Sequence, residues 1–389
     1  MKELLQARPE MLITVVGIGG CGCNTVNMLH ENNLSSSVNL LAVNTDLATL
    51  NYIDVENKIL IGENLTNGYG AGADPAVGLK AALESEETIQ NTLKDSDVVI
   101  ITAGFGGGTG TGASPLVAKV ARQLNISCLA IVTLPFESEG KMRMEYALQG
   151  LSEIKEPAQA FITLSNDLLL KGLGDSIGLF SAFKESNNVL KNLVTSLVQM
   201  FTQTGFINVD KHDFSRILSY EGESILGVGK TDNEENYLDA LEQALNNPLV
   251  SIAQIDTAKG IIIQIFCREE IKLTTYDGIP KYIRTKLAND SALIVVGVTL
   301  DPSLESDLEI LLIASGINSQ ESKGNTEKKN VSAAYLDDEL SFITEDKISE
   351  NPETELVNEL SYTDIPAITR KLLESQKLKI PAIQKNVNV

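Results

Sequence analysis

Tryptophan is absent from this 389-residue chain, histidine occurs only at His30 and His212, and basic residues are scarce: 31 Lys and Arg stand against 52 Asp and Glu, a formal charge of −21. Each shortage removes a class of protein. So large an acid surplus leaves no basic face to neutralise phosphodiesters, so no nucleic acid is expected as a partner. The four cysteines, Cys21, Cys23, Cys128 and Cys267, show no metal-ligand spacing with the two histidines. Cys128 and Cys267 lie in apolar strand-like runs and read as small buried residues. Nothing at the N-terminus resembles a signal peptide, and no apolar run approaches the roughly 20 residues that span a bilayer. The expectation is a soluble, reduced, cytoplasmic protein with no direct membrane insertion. Its length exceeds one ordinary core, which points to two domains and a tail.

Glycine, by contrast, is concentrated. Residues 102–118 read T-A-G-F-G-G-G-T-G-T-G-A-S-P-L-V-A, and six of the nine residues from Gly104 to Gly112 are glycine. An apolar run leads in, and an apolar helical pattern follows from Ala113. Such a backbone turns sharply and leaves its N–H groups uncovered. Thr109 and Thr111 add hydroxyls, and the following helix directs its positive end back at the loop. A surface turn has no need of so many glycines, whereas a phosphate cradle does.

The same grammar opens the chain. Met11 to Val16 is β-rich, G-I-G-G-C-G-C-N follows at 17–24, and a helical pattern runs through Val26, Leu29 and His30. Gly17, Gly19 and Gly22 fit G-x-G-x-x-G, and the strand Val38 to Val43 ends in Asn44, Thr45 and Asp46, where a dinucleotide enzyme places its ribose acid. The first half alone therefore permits a dinucleotide oxidoreductase. Two further glycine loops count against it: 104–112, and N-G-Y-G-A-G-A-D-P at 67–75, where Pro75 opens a helix. Asp97 to Ala103, Ser127 to Thr133 and Gln159 to Leu164 are further strands, the last ending in Ser165, Asn166 and Asp167. The polar loops all follow strand ends, which is the ligand side of an open parallel sheet.

Ser181 to Gln203 is one long helical pattern with Val189, Leu193, Leu197, Val198 and Phe201 on a broad face. At 1.5 Å per residue it covers roughly 35 Å, enough to link a nucleotide pocket at its start to a separate surface at its end. Gly205 closes it, and F-I-N-V-D-K-H-D-F follows at 206–214. A second, smaller α/β unit then reads as a helix near 234–246, strands near 251–256 and 260–267, a helix at 276–288, and strands near 291–299 and 308–315. G-V-G-K-T at 227–231 imitates the end of a P-loop, but the full motif needs glycine at 224, which is Ser224, so Lys230 reads as a solvent-facing residue. Residues 318–364 carry twelve acidic and four basic residues, an acidic linker expected to be disordered. T-D-I-P-A-I-T-R at 363–370 is an apolar island at its end and reads as a docking peptide; I-P-A-I recurs at 380–383, before a basic terminus.

These motifs together resemble the FtsZ family, bacterial relatives of tubulin that polymerise to organise cell division. The likeness runs from residue 11 to 316 and rests on G-G-G-T-G-T-G at 106–112, N-T-D at 44–46, A-G-A-D-P at 71–75, N-V-D-x-x-D at 208–213 and the tail segment. It implies a Rossmann-like parallel-sheet GTPase domain (1–180), a central helix (181–205), a catalytic loop and helix (206–223), a smaller α/β domain (224–316), a linker (317–361) and a partner-binding tail (362–389). It implies GTP/GDP as ligand with Mg2+. Gly19, Gly20, Gly22 and Asn24, with Asp46, Ala71, Gly72 and Ala73, would hold the nucleotide, and Gly106, Gly107, Gly108, Thr109, Gly110, Thr111 and Gly112 would wrap its β- and γ-phosphates. Thr133, Glu139 and Arg143 would flank the ribose side; Asn166, Phe183 and Asn187 would hold guanine, Phe183 by stacking. Asn208, Asp210 and Asp213 would enter the pocket of the next subunit and drive hydrolysis there. Self-assembly would be head to tail, Thr363–Arg370 would bind membrane-tethering and regulatory division proteins, and the place of action would be the division site beneath the inner membrane.

The residues themselves allow that chemistry. A pocket built mainly of backbone N–H groups contains no obvious base, while Asp210 and Asp213 are three apart before a helix and can face one way. Asp213 taken alone would read as a helix N-cap. The chain departs from the family at Cys21 and Cys23 for glycine, Asn187 for aspartate, Leu168 for a basic residue, Ser138 for an aromatic, and Lys211 and His212 for Phe and Ala. Asn187 offers one carbonyl where aspartate offers a charge and two acceptors. The alternative to a polymerising GTPase is a nucleotide-binding filament scaffold with little turnover.

Overall fold

A computed structural model of the chain describes residues 11–32, 38–168, 178–203, 205–245, 255–288 and 291–317. The linker, the tail peptide and residues 246–254, which include most of the strand expected near 251–256, lie outside them. In the first half, strand and helix alternate: β1 (Ile13–Ile18), α1 (Gly19–Glu31), β2 (Val38–Asn44), α2 (Leu47–Tyr52), β3 (Asn57–Leu60), α3 (Glu63–Thr66), α4 (Pro75–Glu84), α5 (Glu86–Leu93), β4 (Val98–Gly104), α6 (Gly108–Gln123), β5 (Ser127–Leu134), α7 (Lys141–Ile154) and β6 (Ala160–Ser165). The sheet order is β3-β2-β1-β4-β5-β6, and every neighbouring pair is parallel. Parallel strands with helices on both faces are apolar throughout, and I-T-V-V-G-I of β1 is buried along its whole length. Ile13, Val15, Val98 and Ile100 face one core while Val16, Ile18, Val99 and Ile101 face the other. The short edge strand β3 has no alternation of its own to announce it in the sequence.

The long helix α8 (Leu179–Thr202) passes from this sheet to the next, followed by α9 (Lys211–Leu218). Leu190, Leu193, Val194, Leu197 and Val198 of α8 are buried in one core that also contains Ile13 and Val98 of the first sheet and Leu226, Ile262, Phe266 and Leu311 of the second. Phe214 of α9 packs edge-on against Phe201 at 4.7 Å. The second sheet comprises β7 (Glu223–Thr231), β8 (Gly260–Cys267), β9 (Leu293–Leu300) and β10 (Leu308–Ile317), in the order β7-β10-β8-β9. It is mixed, β10 running antiparallel to β7 and β8 while β8 and β9 are parallel. Helices α10 (Tyr237–Leu245) and α11 (Leu273–Lys286) cover its far face around Ile261, Ile263, Ile279 and Ile283.

One reading of this lobe needs correction and another gains a structural reason. G-V-G-K-T at 227–231 is part of β7. Its glycines let a helix lie directly on the strand: a Cβ on Gly227 would stand 1.8 Å from the Ala244 carbonyl oxygen, and one on Gly229 1.7 Å from that of Ala240. Lys230 is half-exposed but paired, its Nζ 2.8 Å from Oε2 of Glu309. Glu309 is buried and also accepts a 2.6 Å bond from the Ser196 hydroxyl of α8. The strand expected near 251–256 is not formed at its described end, where Ile255–Thr257 is a 3-10 turn; β7 holds the fourth place in the sheet instead. The loop after α8 reaches the open edge of this sheet, where Ile207 and Val298 exchange backbone hydrogen bonds of 3.2 and 2.8 Å. Among the described residues, no helix is long and apolar enough to cross a membrane.

Candidate functional site

Helix α1 begins directly at the end of β1 and α6 after three intervening residues from the end of β4, the two central strands, and neither has a side-chain cap on its first turn. By contrast, α2 and α4 are capped by Asp46 and Asp74. A helix start without a cap leaves N–H donors unsatisfied and aligned with the positive end of the dipole, and here two such starts meet. A Cβ on Gly19 would lie 2.9 Å from the Gly110 nitrogen, and the hydroxyls of Thr45 and Thr109 are 2.7 Å apart. Gly106 takes a left-handed φ of +96° and donates its N–H to Thr111 Oγ1 at 2.9 Å. Gly72 and Ala73 are also left-handed, at φ +62° and +60°, and Ala71 packs beside Gly108. Gly20 and Asn24 are exposed at the start of α1, while Gly22 is buried within it.

The glycine signature is more mixed than its composition implies. Helix α6 starts at Gly108, not near Ala113, so the true loop is short and Thr109 to Gly112 form the first helical turns. A Cβ on Gly110 would stand 2.4 Å from the Gly104 oxygen and one on Gly112 2.1 Å from the Pro75 oxygen. Those glycines allow α6 to press against β4 and α4. Gly107 has open space, as a phosphate-facing position requires.

Thr133 is the penultimate residue of β5, and the Cys21 sulfur lies 3.8 Å from its hydroxyl and 3.7 Å from Asn187 Oδ1. Glu139 pairs with Arg143 at 2.7 Å and accepts the Phe136 N–H at 2.9 Å. Phe136 packs edge-on against Phe183, ring centroids 4.9 Å apart, and Phe183 keeps 39% of its surface exposed. Asn166 is buried and accepts a 2.7 Å bond from Ser186. Thus the second and third turns of α8, carrying Phe183, Ser186 and Asn187, close one side of the cradle. Thr45, Cys21, Phe136 and Ser186 were not among the residues expected to build it, and the motif spacing gives no signal for contacts made across strands. The Asp46 carboxylate is committed to α2, accepting from Ala48 and Thr49. Burial raises the Cys21 thiol above its usual value against the opposing Thr133 hydroxyl, and takes Cys23 up to about 12, so both sit as neutral thiols.

The remaining three expected residues are elsewhere. Asp210 is the N-cap of α9, its Oδ1 accepting the Asp213 N–H at 2.8 Å, so the capping reading of Asp213 passes to Asp210 and Asp213 lies in the first turn. Asn208 Oδ1 accepts the Gly205 N–H at 2.7 Å. Lys211 Nζ is 2.8 Å from Asp97, which precedes β4, whereas the cradle follows β4. The carboxylates therefore lie near the opposite end of β4 from the cradle, about 23 Å away along a seven-residue strand. Among the described residues, no group of three or more His, Cys, Asp or Glu could hold a metal ion.

A nucleotide-phosphate cradle on a doubly covered parallel sheet, with a long helix leading to a second sheet, defines a class of α/β nucleotide-binding protein. The chain belongs to the Tubulin/FtsZ family: that family's GTPase domain matches residues 12–174, and the FtsZ family's C-terminal domain matches residues 222–318. It is 35% identical over 384 residues to the cell division protein FtsZ of Buchnera aphidicola subsp. Baizongia pistaciae, covering 95% of this chain and 99% of that relative. It is 37% identical over 321 residues to cell division protein FtsZ 1 of Methanocaldococcus jannaschii, covering 82% and 87%. Among solved structures, the empty FtsZ dimer of M. jannaschii superposes with a TM-score of 0.75 at 37% identity, covering 82% of this chain and 91% of that one. The first sheet is thus a GTPase domain, and its ligand class is guanine nucleotide.

Proposed function

We propose that the chain is a GTP-dependent polymerising cell-division protein that hydrolyses GTP to GDP and phosphate where the lower end of one subunit meets the cradle of the next. One observation carries this reading: Asp210 and Asp213 share a chain with the cradle but lie at the far end of α8 from it. The cradle supplies N–H and hydroxyl donors that stabilise charge on the transferred phosphoryl group. It holds the nucleotide without activating water.

In this reading the first turns of α1 and α6, with Ala71 to Ala73, take the phosphates. Asn166 and Asn187 take the guanine edge, and Phe183, braced by Phe136, takes its face. Asp210 uses one carboxylate oxygen for its own helix and keeps the other to orient water, together with Asp213 one turn on. Mg2+ suits this oxygen-rich junction as a hard ion that keeps waters and phosphate ligands. It would be held by the phosphates and by Asp210 or Asp213 of the next subunit, neutralising charge as the phosphoryl group departs. A head-to-tail contact of this kind does not close, so it extends into filaments. The segment Thr363–Arg370 would tie those filaments to membrane-tethering and regulatory proteins at the division site.

GTP turnover per subunit, measured against protein concentration with light scattering in parallel and ATP as control, tests this. Turnover should appear above a threshold concentration together with scattering, and Asp213→Ala should lower it about 100-fold with nucleotide affinity retained. Turnover linear in concentration from zero would exclude a shared site, and filaments with negligible turnover would make the protein a nucleotide-gated scaffold.

A further inference from the structure

Lys211 is the first residue of α9, immediately after the cap Asp210 and two before Asp213. A cation there opposes the positive end of the helix dipole. It is also long enough to fold back on either aspartate, or to compete with them for a phosphate. In the structure it does neither, because its ammonium lies 2.8 Å from Asp97 Oδ1. Asp97 is a firm anchor: its N–H donates to the Leu12 carbonyl at 2.7 Å, and its Oδ2 accepts the Leu12 N–H at 3.0 Å. Burial would raise the Asp97 carboxyl, but Lys211 and the Leu12 N–H outweigh it and hold the group below the usual range.

What Asp97 belongs to matters as much. The next residue opens β4, and the other end of that seven-residue strand, Gly104, opens the cradle loop. Other hydrogen bonds of the loop itself lead to the second sheet or stay within the loop, as with Ile207 to Val298 and Gly205 to Asn208, and farther along α9 Ser215 accepts a longer bond of 3.4 Å from Gln159, just before β6. Lys211 ties it to the first sheet. One central strand, rigid because it is paired on both sides by β1 and β5, then sets the distance between the phosphates a subunit holds and the carboxylates it offers its neighbour.

We propose that Lys211, moored on Asp97, is a positioning residue for the shared hydrolytic site: the ion pair fixes the carboxylate-bearing loop to strand β4 and keeps the lysine charge away from Asp210 and Asp213. This rests on the reading that those aspartates act in the next subunit's pocket.

The test uses the full chain as Lys211→Met, Lys211→Arg, Asp97→Asn, the Lys211→Met/Asp97→Asn double and the exchanged pair Lys211→Asp/Asp97→Lys. Three quantities are read: GTP turnover of the assembled protein, GTP affinity of the dilute monomer, and amide exchange over residues 205–214. Lys211→Met and Asp97→Asn should each lower kcat about fivefold or more, since small misplacement of a reacting group is costly. KM and monomer affinity should stay within about twofold, and amide exchange should accelerate. Lys211→Arg should keep most of the rate, the exchanged pair should recover part of it, and the double variant should be no worse than either single one. Lys211→Met with turnover within about twofold of the parent and unchanged exchange would overturn the proposal, as would losses that simply add in the double variant. If the parent shows no assembly-dependent turnover, or Asp213→Ala is fully active, the shared-site reading falls separately. Amide exchange then decides the mooring alone: faster exchange in Lys211→Met upholds it, and unchanged exchange ends it.

Discussion

The chain contains two glycine-rich stretches that look alike on paper, G-G-G-T-G-T-G at 106–112 and G-V-G-K-T at 227–231. In the first, Gly106 turns left-handed and Gly107 stands in open space before an uncapped helix. In the second, both glycines are pressed under the backbone of α10, within a continuous strand. One stretch removes side chains so that a ligand can approach, the other so that a helix can. Even the first stretch divides, since Gly110 and Gly112 serve close packing. Glycine content therefore reports that something comes near the backbone, and the direction of the neighbouring helix says what.

Substitutions can break this comparison at several strengths. Gly229→Val should act hardest, because its branched side chain would overlap the Ala240 carbonyl; a loss of about 3 kcal/mol in denaturant stability is expected, with GTP affinity per folded molecule unchanged. Lys230→Met should come next. It leaves buried Glu309 with Ser196 alone and should cost about 2 kcal/mol, again without effect on nucleotide binding, which separates this lysine from a phosphate ligand. Gly107→Ala is the mirror image. Its backbone, at φ −97°, accepts alanine and no heavy atom lies within 4 Å of the new Cβ, so stability should hold while the methyl obstructs the cradle. GTP affinity measured by titration should fall about tenfold, or ~1.4 kcal/mol.

The smallest expected effect concerns the cysteines of the opening glycine turn. With Cys23 raised to about 12, its thiolate fraction at pH 8 is on the order of 10⁻⁴. A thiol reagent should leave it unmodified in the native protein and react promptly in denaturant. The sign of the linkage is that of a raised group. Its stabilising contribution is complete below the unfolded value of 9.0 and is lost as pH climbs toward about 12. Rapid native labelling of Cys23 at pH 8 would mean that the turn opens far more readily than its packing implies.

Much of the fold was legible because local signals agree with it: apolar strands, glycine turns after them, and a long amphipathic pattern that becomes α8. What escaped was set by tertiary context. Strand β7 carries glycines at alternate positions that lower strand propensity until α10 is laid on them, and β3 is too short to alternate visibly. The cradle was legible as composition, yet Cys21, Thr45, Phe136 and Ser186 join it through contacts between elements far apart in sequence. The Lys211 and Asp97 pair was invisible for the same reason, its partners standing 114 residues apart in the sequence.

The bridge between Ile207 and Val298 has a further consequence. Strand β9 is the outer strand of the second sheet, and unpaired strand borders recruit foreign chains indiscriminately. By pairing there, the loop that carries Asp210 and Asp213 occupies the N–H and carbonyl of Val298, two of the outward hydrogen-bonding groups of that border. A molecule whose task is to line up copies of itself thereby interrupts one strand border against disordered pairing while leaving its side-chain surfaces available for the ordered one.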